Sequence, residues 1–264
     1  MKTVLITGAA SGLGWAMSRV AFERGYRVLM TDINTIMLQA RAEVLAERDP
    51  ARVAWRELDV TDSQALQQLV LWLQEQGERL DVLINNAGIT HRSQAARTTM
   101  GVFRRVMAVD WQAPVELSLA CLPLLRDSGG TIVNIGSMAG WMPVLGRAGY
   151  CSAKSALAQF FEVLRAEVAP DGIDVLMVYP SFLETPIEQN ALGGDGKPAS
   201  HRRSMVGRMQ SPEWMALRTF DALAAKRKRL FPDRFTWLAS LLWRLAPDLY
   251  QRLMVRRFAS ELEH

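Results

Sequence analysis

The sequence TVLITGAASGLG, residues 3–14, decides the fold of this chain. A strand-length apolar run leads into a turn with glycines at positions 8, 12 and 14, and a helical pattern then continues to about Arg24. Glycines at this spacing allow a tight turn, close helix–strand packing, and a close approach of the backbone to a pyrophosphate at the helix N-terminus. The stretch therefore predicts a strand–turn–helix unit that binds a dinucleotide. The residues predicted to contact it are Gly8, Ser11, Gly12, Leu13 and Gly14.

A carboxylate follows the second predicted strand, residues 26–31. This residue, Asp32, stands 24 residues after Gly8. Its carboxylate can accept hydrogen bonds from both hydroxyls of an adenosine ribose and would repel a 2′-phosphate. The sequence therefore favours NAD over NADP as the dinucleotide.

Predicted strands and helices alternate along the rest of the chain as far as residue 231, without hairpin signals. This alternation predicts an α/β fold with one doubly wound parallel sheet of about seven strands, helices on both faces, and a single domain at residues 1–232. The further predicted strands are residues 52–58, 80–84, 131–135, 173–179 and 227–231, and a long helix is predicted over residues 100–126.

The stretch GSMAGWMPVLGRAGYCSAK, residues 136–154, carries the candidate reactive groups. Tyr150 and Lys154 are four residues apart, so on a helix they share a face, where the cation would lower the pKa of the phenol from about 10. Ser137 follows the apolar run at 131–135, which places its hydroxyl at the carboxyl end of a strand. These groups suit hydride transfer to or from a carbonyl. Tyrosine and lysine also occur at this spacing by chance on exposed helices, so the interpretation depends on the other motifs.

Together the motifs resemble those of the short-chain dehydrogenase/reductase family over residues 2–231. The glycine turn resembles the family's cofactor turn, and Asn85-Asn86-Ala87-Gly88 resembles its NNAG motif. Asp59-Val60 matches its adenine-contacting pair, and the positions of Ser137, Tyr150 and Lys154 fit its catalytic spacing. The resemblance implies a Rossmann-like fold and a nicotinamide-dependent oxidoreductase.

The resemblance also implies a role for each residue. Tyr150 would be the general acid in reduction and the general base in oxidation, Ser137 would hold the substrate oxygen, and Lys154 would bind the nicotinamide ribose. Thr185 fits the position that holds the carboxamide. Ser11 stands where relatives that use NADP often have a basic residue, which again favours NAD. The other implied cofactor-binding residues are Asp59, Val60, Asn86, Ala87, Gly88 and Pro180.

Two positions depart from the family pattern. Asp110 stands where the family usually has the asparagine that completes a catalytic tetrad. An ionised carboxylate near Lys154 would offset part of the effect of the cation on Tyr150, so a slower enzyme or a shifted pH optimum is expected. Asp110 also motivates an alternative, a scaffold or sensor that binds NAD and has lost turnover. Ser181 replaces the usual glycine after Pro180, which removes no functional group.

The segments after the fourth, fifth and sixth strands would line the substrate pocket. They are mostly apolar, which favours a hydrophobic alcohol or ketone over a sugar or a small acid. Residues 181–211 are rich in glycine, serine and proline and indicate a mobile lid. No side chains have metal-ligand spacing, so no metal is predicted. The predicted lining residues are Thr90, His91, Arg92, Met138, Ala139, Trp141, Met142, Leu145, Phe182, Leu183 and Ile187. His91 and His201 could contact substrate, but a histidine in such a segment is more often a bystander.

Positive charge is concentrated in the C-terminal quarter of the chain. Residues 201–260 contain 13 Lys and Arg against 4 Asp and Glu, whereas residues 1–200 carry a net charge of −3. Residues 233–260 form a predicted helical extension, in which residues 235–258 place leucines on one stripe with tryptophan and arginine around it. Two interpretations stay open, a helix at a membrane surface and a helix pair packed on its own domain or on a partner subunit. The aromatic residues of this segment alternate with leucines, as in a packed helix, which argues against nucleic-acid binding.

Further features concern the compartment and the assembly. The apolar run at residues 3–6 is too short for a secretory signal, no apolar stretch reaches the length that spans a bilayer, and Cys121 and Cys151 indicate free thiols in a reducing compartment. A cytoplasmic protein is expected, membrane-associated if the C-terminal extension binds lipid. The resemblance implies a homodimer or a homotetramer. Residues 262–264 resemble the start of a purification tag.

Overall fold

The computed structural model describes residues 1–199 and 209–262, and its central element is a parallel sheet. Its strands are β1 (Thr3–Thr7), β2 (Arg27–Asp32), β3 (Val53–Glu57), β4 (Val82–Asn85), β5 (Thr131–Ile135), β6 (Asp174–Val178) and β7 (Arg229–Leu230). Their order is β3-β2-β1-β4-β5-β6-β7, so the direction of winding reverses between β1 and β4. Open α/β sheets bind ligands at such a point, outside the carboxyl ends of the strands.

Helices cover both faces of the sheet. They are α1 (Gly12–Glu23), α2 (Thr35–Ala46), α3 (Ser63–Glu75), α4 (Met100–Met107), α5 (Ala113–Ser128), α6 (Ala148–Val168), α7 (Pro212–Ala224), α8 (Arg234–Leu245) and α9 (Pro247–Arg257). Helices α1, α2 and α7 pack on one face, and α3, α5 and α6 pack on the other. Val4 and Ile6 of β1 join the first layer, while Leu5 joins the second, because successive strand side chains point to opposite faces. The predicted doubly wound parallel sheet is confirmed.

Side-chain caps explain where two helices begin. The Asn34 side chain accepts a hydrogen bond from the Met37 N–H at the start of α2, over 3.1 Å. The Asp62 carboxylate accepts from the N–H groups of Gln64 (2.9 Å) and Ala65 (3.1 Å) at the start of α3. Such caps satisfy N–H groups that have no partner within the helix.

The helix predicted over residues 100–126 is interrupted. A π-helical turn, Ala108–Gln112, joins α4 to α5, and α5 continues to Ser128. A π turn contains more residues than an α turn, which a hydrophobic pattern with a period of 3.6 does not reveal. The turn contains Asp110, whose side chain is fully buried.

The first part of the predicted lid is tied to the segment after β4. The Arg92 N–H donates to the Leu192 carbonyl (2.7 Å), and the Leu192 N–H donates to the Thr90 carbonyl (2.9 Å). Residues 200–208, including His201, lie outside the described residues, so their contribution to a lid or to substrate contact stays a prediction.

Helices α8 and α9 form a hairpin that packs on the loop between β5 and α6. The Tyr250 hydroxyl donates to the Pro143 carbonyl over 2.8 Å, and the Arg244 guanidinium lies 3.8 Å from the centroid of the Trp141 ring. These contacts support the interpretation of the extension as a helix pair packed on its own domain. In the described ranges, no helix combines the length and the apolar character needed to cross a bilayer.

Candidate active site

The glycine turn lies at the carboxyl end of β1 and leads into α1. Gly8 has a φ of +67°, and a Cβ atom at Gly14 would lie only 2.0 Å from the Gly8 carbonyl oxygen. The Asn86 side-chain amide donates to the carbonyls of Thr7 (2.9 Å) and Gly8 (3.2 Å), which holds the turn against the end of β4. The turn is therefore a backbone cradle at a helix N-terminus, and it fits the pyrophosphate of a dinucleotide.

Asp32 ends β2 beside this turn. Its carboxylate accepts hydrogen bonds from the N–H groups of Ala10 (3.0 Å) and Asn34 (2.9 Å) and remains half-buried. The turn backbone thus fixes the orientation of the carboxylate, as a group that recognises a ribose requires. Asp59 is exposed and accepts from the Thr61 N–H at 2.9 Å.

Other predicted cofactor residues surround the same edge of the sheet. A small cavity is lined in part by Thr7, Val60 and Ala87. Thr185 approaches the glycine turn, since a Cβ atom at Gly12 would lie 3.2 Å from the Thr185 Cβ. Leu13 differs from the others because its side chain belongs to the core, so only its backbone can contact a ligand. Pro180 is buried, and its carbonyl accepts from the Met138 N–H over 3.3 Å.

Ser137, Tyr150 and Lys154 come together where β5 meets α6. The Ser137 hydroxyl accepts from the Ala139 N–H over 3.1 Å, and it lies close enough to the Tyr150 phenol to lower the pKa of that group. The Lys154 ammonium donates to the Ile135 carbonyl over 3.1 Å and lies 5.7 Å from the centroid of the Tyr150 ring. Both α6 residues thus face the end of β5, as their spacing predicts.

Burial decides the protonation of Tyr150. It raises the pKa of the phenol above its usual value of 10.0. The Lys154 charge is the largest opposing influence and the hydrogen bond with Ser137 also lowers the pKa, whereas the Asp110 carboxylate adds to the rise. Lys154 thus lowers the phenol pKa as predicted, but the net shift is upward, because loss of hydration disfavours the phenolate more than the cation favours it.

Asp110 forms a buried ion pair with Lys154. The Asp110 Oδ1 and Lys154 Nζ atoms are 2.9 Å apart, and the second carboxylate oxygen accepts from the Ile89 N–H at 3.3 Å. A Cβ atom at Gly88 would lie 2.8 Å from the same Oδ1, so the glycine of the Asn-Asn-Ala-Gly stretch leaves room for the carboxylate. Burial raises the pKa of Asp110 against the lowering influence of Lys154. For Lys154 burial lowers the pKa, but the negative charge of Asp110 leads the opposing influences and the net shift is upward.

His91 positions the helix that carries Tyr150. Its Nε2 atom accepts the Gly149 N–H over 2.9 Å, at the first turn of α6, and its ring packs edge-on against Phe103. A Cβ atom at Gly149 would lie 2.6 Å from the Phe103 ring, so only glycine allows this approach. Burial, reinforced by the Arg147 charge, lowers the pKa of His91 to about 4, and the ring is therefore neutral. Sequence reasoning missed this role because nothing in the sequence relates position 91 to position 149.

The structure corrects several predicted pocket residues. Thr90, His91 and Arg92 are buried, and the Arg147 guanidinium donates to the Thr90 hydroxyl (2.9 Å) and pairs with Glu188 (2.8 Å). These residues fasten the start of α6 to the segment after β6. Met138 and Ala139 are also buried, and Trp141 lies edge-on to the rings of Tyr179 and Phe231.

A smaller apolar set remains for substrate contact. Its members are half-buried and follow the carboxyl ends of β5 and β6. They are Met142, Leu145, Phe182, Leu183 and Ile187.

Comparison with known proteins agrees with this geometry. Residues 2–194 match the family model described as short chain dehydrogenase. Over 265 residues the chain is 34% identical to dehydrogenase/reductase SDR family member 7B from Bos taurus, an alignment that covers 98% of this chain and 82% of that protein. The chain belongs to the short-chain dehydrogenase/reductase family.

Solved structures resemble this short-chain dehydrogenase/reductase along most of its length. A short-chain dehydrogenase from Streptomyces avermitilis has a TM-score of 0.81 at 30% identity and aligns over 97% of both chains. An alcohol dehydrogenase from Thermococcus sibiricus, complexed with 5-hydroxy-NADP, has a TM-score of 0.75 over 87% of this chain and 95% of its own. At 22% identity that likeness shows the fold alone.

Membership of the family supports dehydrogenase or reductase activity with a nicotinamide cofactor. The fold places the glycine cradle, Asp32 and the pair Tyr150–Lys154 at the carboxyl edge of one sheet. This edge supplies a phosphate-binding backbone, a carboxylate, and a phenol beside a cation.

Proposed function

We propose that this protein is an NAD(H)-dependent oxidoreductase that transfers hydride between the nicotinamide and a hydrophobic alcohol or ketone. The observation that carries the proposal is the Tyr150 phenol beside Lys154 on one face of α6, at the end of β5 where Ser137 lies. The cofactor, when bound, would supply or accept the hydride. The protein residues would handle the proton and hold the substrate oxygen.

Tyr150 is the group that would move the proton. Because its pKa is raised, the phenol is protonated near neutral pH and is ready to donate to a carbonyl oxygen in reduction. In oxidation the phenolate would accept the proton of the alcohol, which requires a higher pH. Ser137 would donate a hydrogen bond to the substrate oxygen and stabilise its negative charge.

The preference for NAD rests on Asp32 and Ser11. The Asp32 carboxylate is fixed by the Ala10 N–H at the glycine turn and would repel a 2′-phosphate. Position 11 offers a hydroxyl rather than a cation. The alcohol dehydrogenase that binds 5-hydroxy-NADP shares the fold, so NADP is the competing cofactor in the test.

The hydrophobic substrate is proposed from the half-buried apolar set after β5 and β6. Leu145, Phe182 and Ile187 are half-buried apolar residues in the segments that follow the carboxyl ends of β5 and β6. An apolar alcohol or ketone would bury their remaining surface, whereas a sugar would leave its hydroxyls without partners.

The test is the absorbance of reduced nicotinamide during incubation with NAD or NADP and a panel of hydrophobic secondary alcohols, with Tyr150→Phe in parallel. We expect turnover with NAD and a loss of about 100-fold or more in kcat for Tyr150→Phe, with dinucleotide binding retained. Tyr26→Phe is the matched control because Tyr26 packs on Phe220, away from the site. Equal turnover by Tyr150→Phe and the wild type would refute the proposed role of Tyr150, and a preference for NADP would refute that of Asp32.

The ion pair between Asp110 and Lys154 favours a second candidate, a catalytically impaired NAD-binding scaffold or sensor. A cation held at 2.9 Å by a carboxylate is less able to stabilise a phenolate. Asp110→Asn removes the negative charge that raises the Tyr150 pKa, so the pH profile of oxidation should move to lower pH and kcat near neutrality should rise. Tight NAD binding without turnover in the wild type, and turnover restored in Asp110→Asn, would favour the scaffold.

A further inference from the structure

We propose that the α8–α9 hairpin is a docking surface for a bilayer that contains anionic lipids. The first observation is apolar surface that the fold leaves in solvent. Leu238 (56% exposed) and Leu245 (82%) lie seven residues apart on α8, and Leu249 (48%) and Leu253 (46%) lie four apart on α9. These spacings place each pair on one face of its helix.

The side of the hairpin opposite the exposed leucines packs on the domain and so sets the orientation of the hairpin. Tyr250 and Met254 of α9 are buried, and the Tyr250 hydroxyl donates to the Pro143 carbonyl. Trp243 packs its ring on Tyr250, and Arg244 covers Trp141. The hairpin is thus anchored by side chains other than its exposed leucines.

The positive charge of the hairpin indicates that its binding partner is anionic. Residues 234–257 contain 5 Arg and 1 Asp, a net charge of +4, while the remainder of the chain is neutral by the same count. Arg252 and Arg256 are exposed and share a face of α9, where they line a shallow hollow together with Asp248 and Val255. Arginines beside apolar residues can bind lipid phosphates while the leucines enter the acyl boundary.

A second copy of this chain fits the surface less well. A two-fold contact through the hairpin would bring the same patch of each copy together, so that two surfaces of net positive charge would face each other. Like charges in a desolvated interface are unfavourable, whereas anionic headgroups would neutralise them. The helices are 12 and 11 residues long, so the hairpin would lie in the interface plane rather than cross it.

The test is co-sedimentation of the full chain with vesicles of phosphatidylcholine alone and of phosphatidylcholine with phosphatidylglycerol. We expect binding to the anionic vesicles, weakened by added salt, and little binding to the neutral ones. The variant Leu249→Ser/Leu253→Ser should reduce the vesicle partition coefficient by at least about tenfold, and Arg252→Gln/Arg256→Gln should also reduce it.

The matched control is Leu71→Ser/Leu217→Ser, which changes two similarly exposed leucines, at 55% and 46%, on α3 and α7. Thermal unfolding and light scattering of every variant separate a loss of folding or of assembly from a loss of lipid binding. The proposal is overturned if the wild type binds neither vesicle, or if the leucine variants on α9 and the control variant bind alike. If Leu249→Ser/Leu253→Ser dissociates an oligomer and no vesicle binding is seen, the surface is an interface between copies.

Discussion

The two ends of the candidate site are built in different ways. At the dinucleotide end, the glycine turn, Asp32 and Asn86 are held by hydrogen bonds to the backbone at neighbouring strand ends. At the Tyr150 end, α6 begins on a hydrogen bond from Gly149 to His91, a residue 58 positions earlier in the chain.

This difference shows which parts of the site a short sequence motif can specify. The dinucleotide end depends on small residues and on one carboxylate at a strand end, so its requirements are visible as spacing. The Tyr150 end depends on a neutral, buried imidazole and on the segment 186–192 that Arg147 holds through Glu188. Those requirements arise only when the chain is folded.

The largest expected effect is at the dinucleotide end. In Gly14→Ala the new Cβ would lie 2.0 Å from the Gly8 carbonyl oxygen, and backbone cannot move aside as a flexible side chain can. We expect a loss of about 3 kcal/mol in the free energy of unfolding and a fall of about 100-fold or more in dinucleotide affinity. Urea unfolding and NAD titration by calorimetry measure the two quantities.

Gly101→Ala is the matched control for this change. The nearest atom to a Cβ at position 101 is the Thr99 Oγ1 atom at 3.9 Å, and Gly101 lies in the first turn of α4. The control should be neutral or slightly stabilising because alanine has the higher helix propensity. A Gly14→Ala variant that binds NAD like the wild type would show that the cradle does not hold the dinucleotide.

The second-largest expected effect is at the Tyr150 end of the site. His91→Ala leaves the Gly149 N–H without its acceptor and opens a cavity beside Phe103, so the free energy of unfolding should fall by about 3 kcal/mol. Because α6 is then free to shift, kcat should fall about tenfold or more while NAD affinity changes little. His91→Gln offers a carbonyl oxygen to the same N–H and should recover part of both losses. If both variants lower NAD affinity and kcat equally, His91 supports the whole fold rather than the position of Tyr150.

Much of the fold could be predicted from the sequence because its signals are local. Apolar runs of strand length and the glycines at 8, 12 and 14 specify a parallel sheet with a cradle, and the observed sheet is parallel and doubly wound. The π turn at Ala108–Gln112 could not be predicted, since the apolar pattern continues through it.

The sequence predicted which residues form the candidate site, but it did not predict the direction in which their pKa values shift. Spacing places Tyr150 and Lys154 on one face, as observed, but the net direction of the Tyr150 pKa depends on burial by residues distant in the chain. Thr90 and Arg92 were predicted to line the pocket but are buried, because position after a strand does not show whether a side chain turns inward.

The smallest effect is the pH dependence of stability that His91 produces. Its pKa is about 4 in the folded protein against 6.5 for an unperturbed histidine, so between these values the unfolded chain binds a proton that the folded chain does not. Stability from this group is fully present above pH 6.5 and is lost as the pH falls toward 4. Linkage then gives a loss of about 2 kcal/mol between pH 7.5 and pH 5, which urea unfolding at the two pH values would measure. His91→Gln cannot titrate, so it should lose less stability than the wild type over the same interval. An equal loss in both proteins would mean that other groups cause the acid sensitivity, and that the Gly149 contact does not depend on a neutral ring.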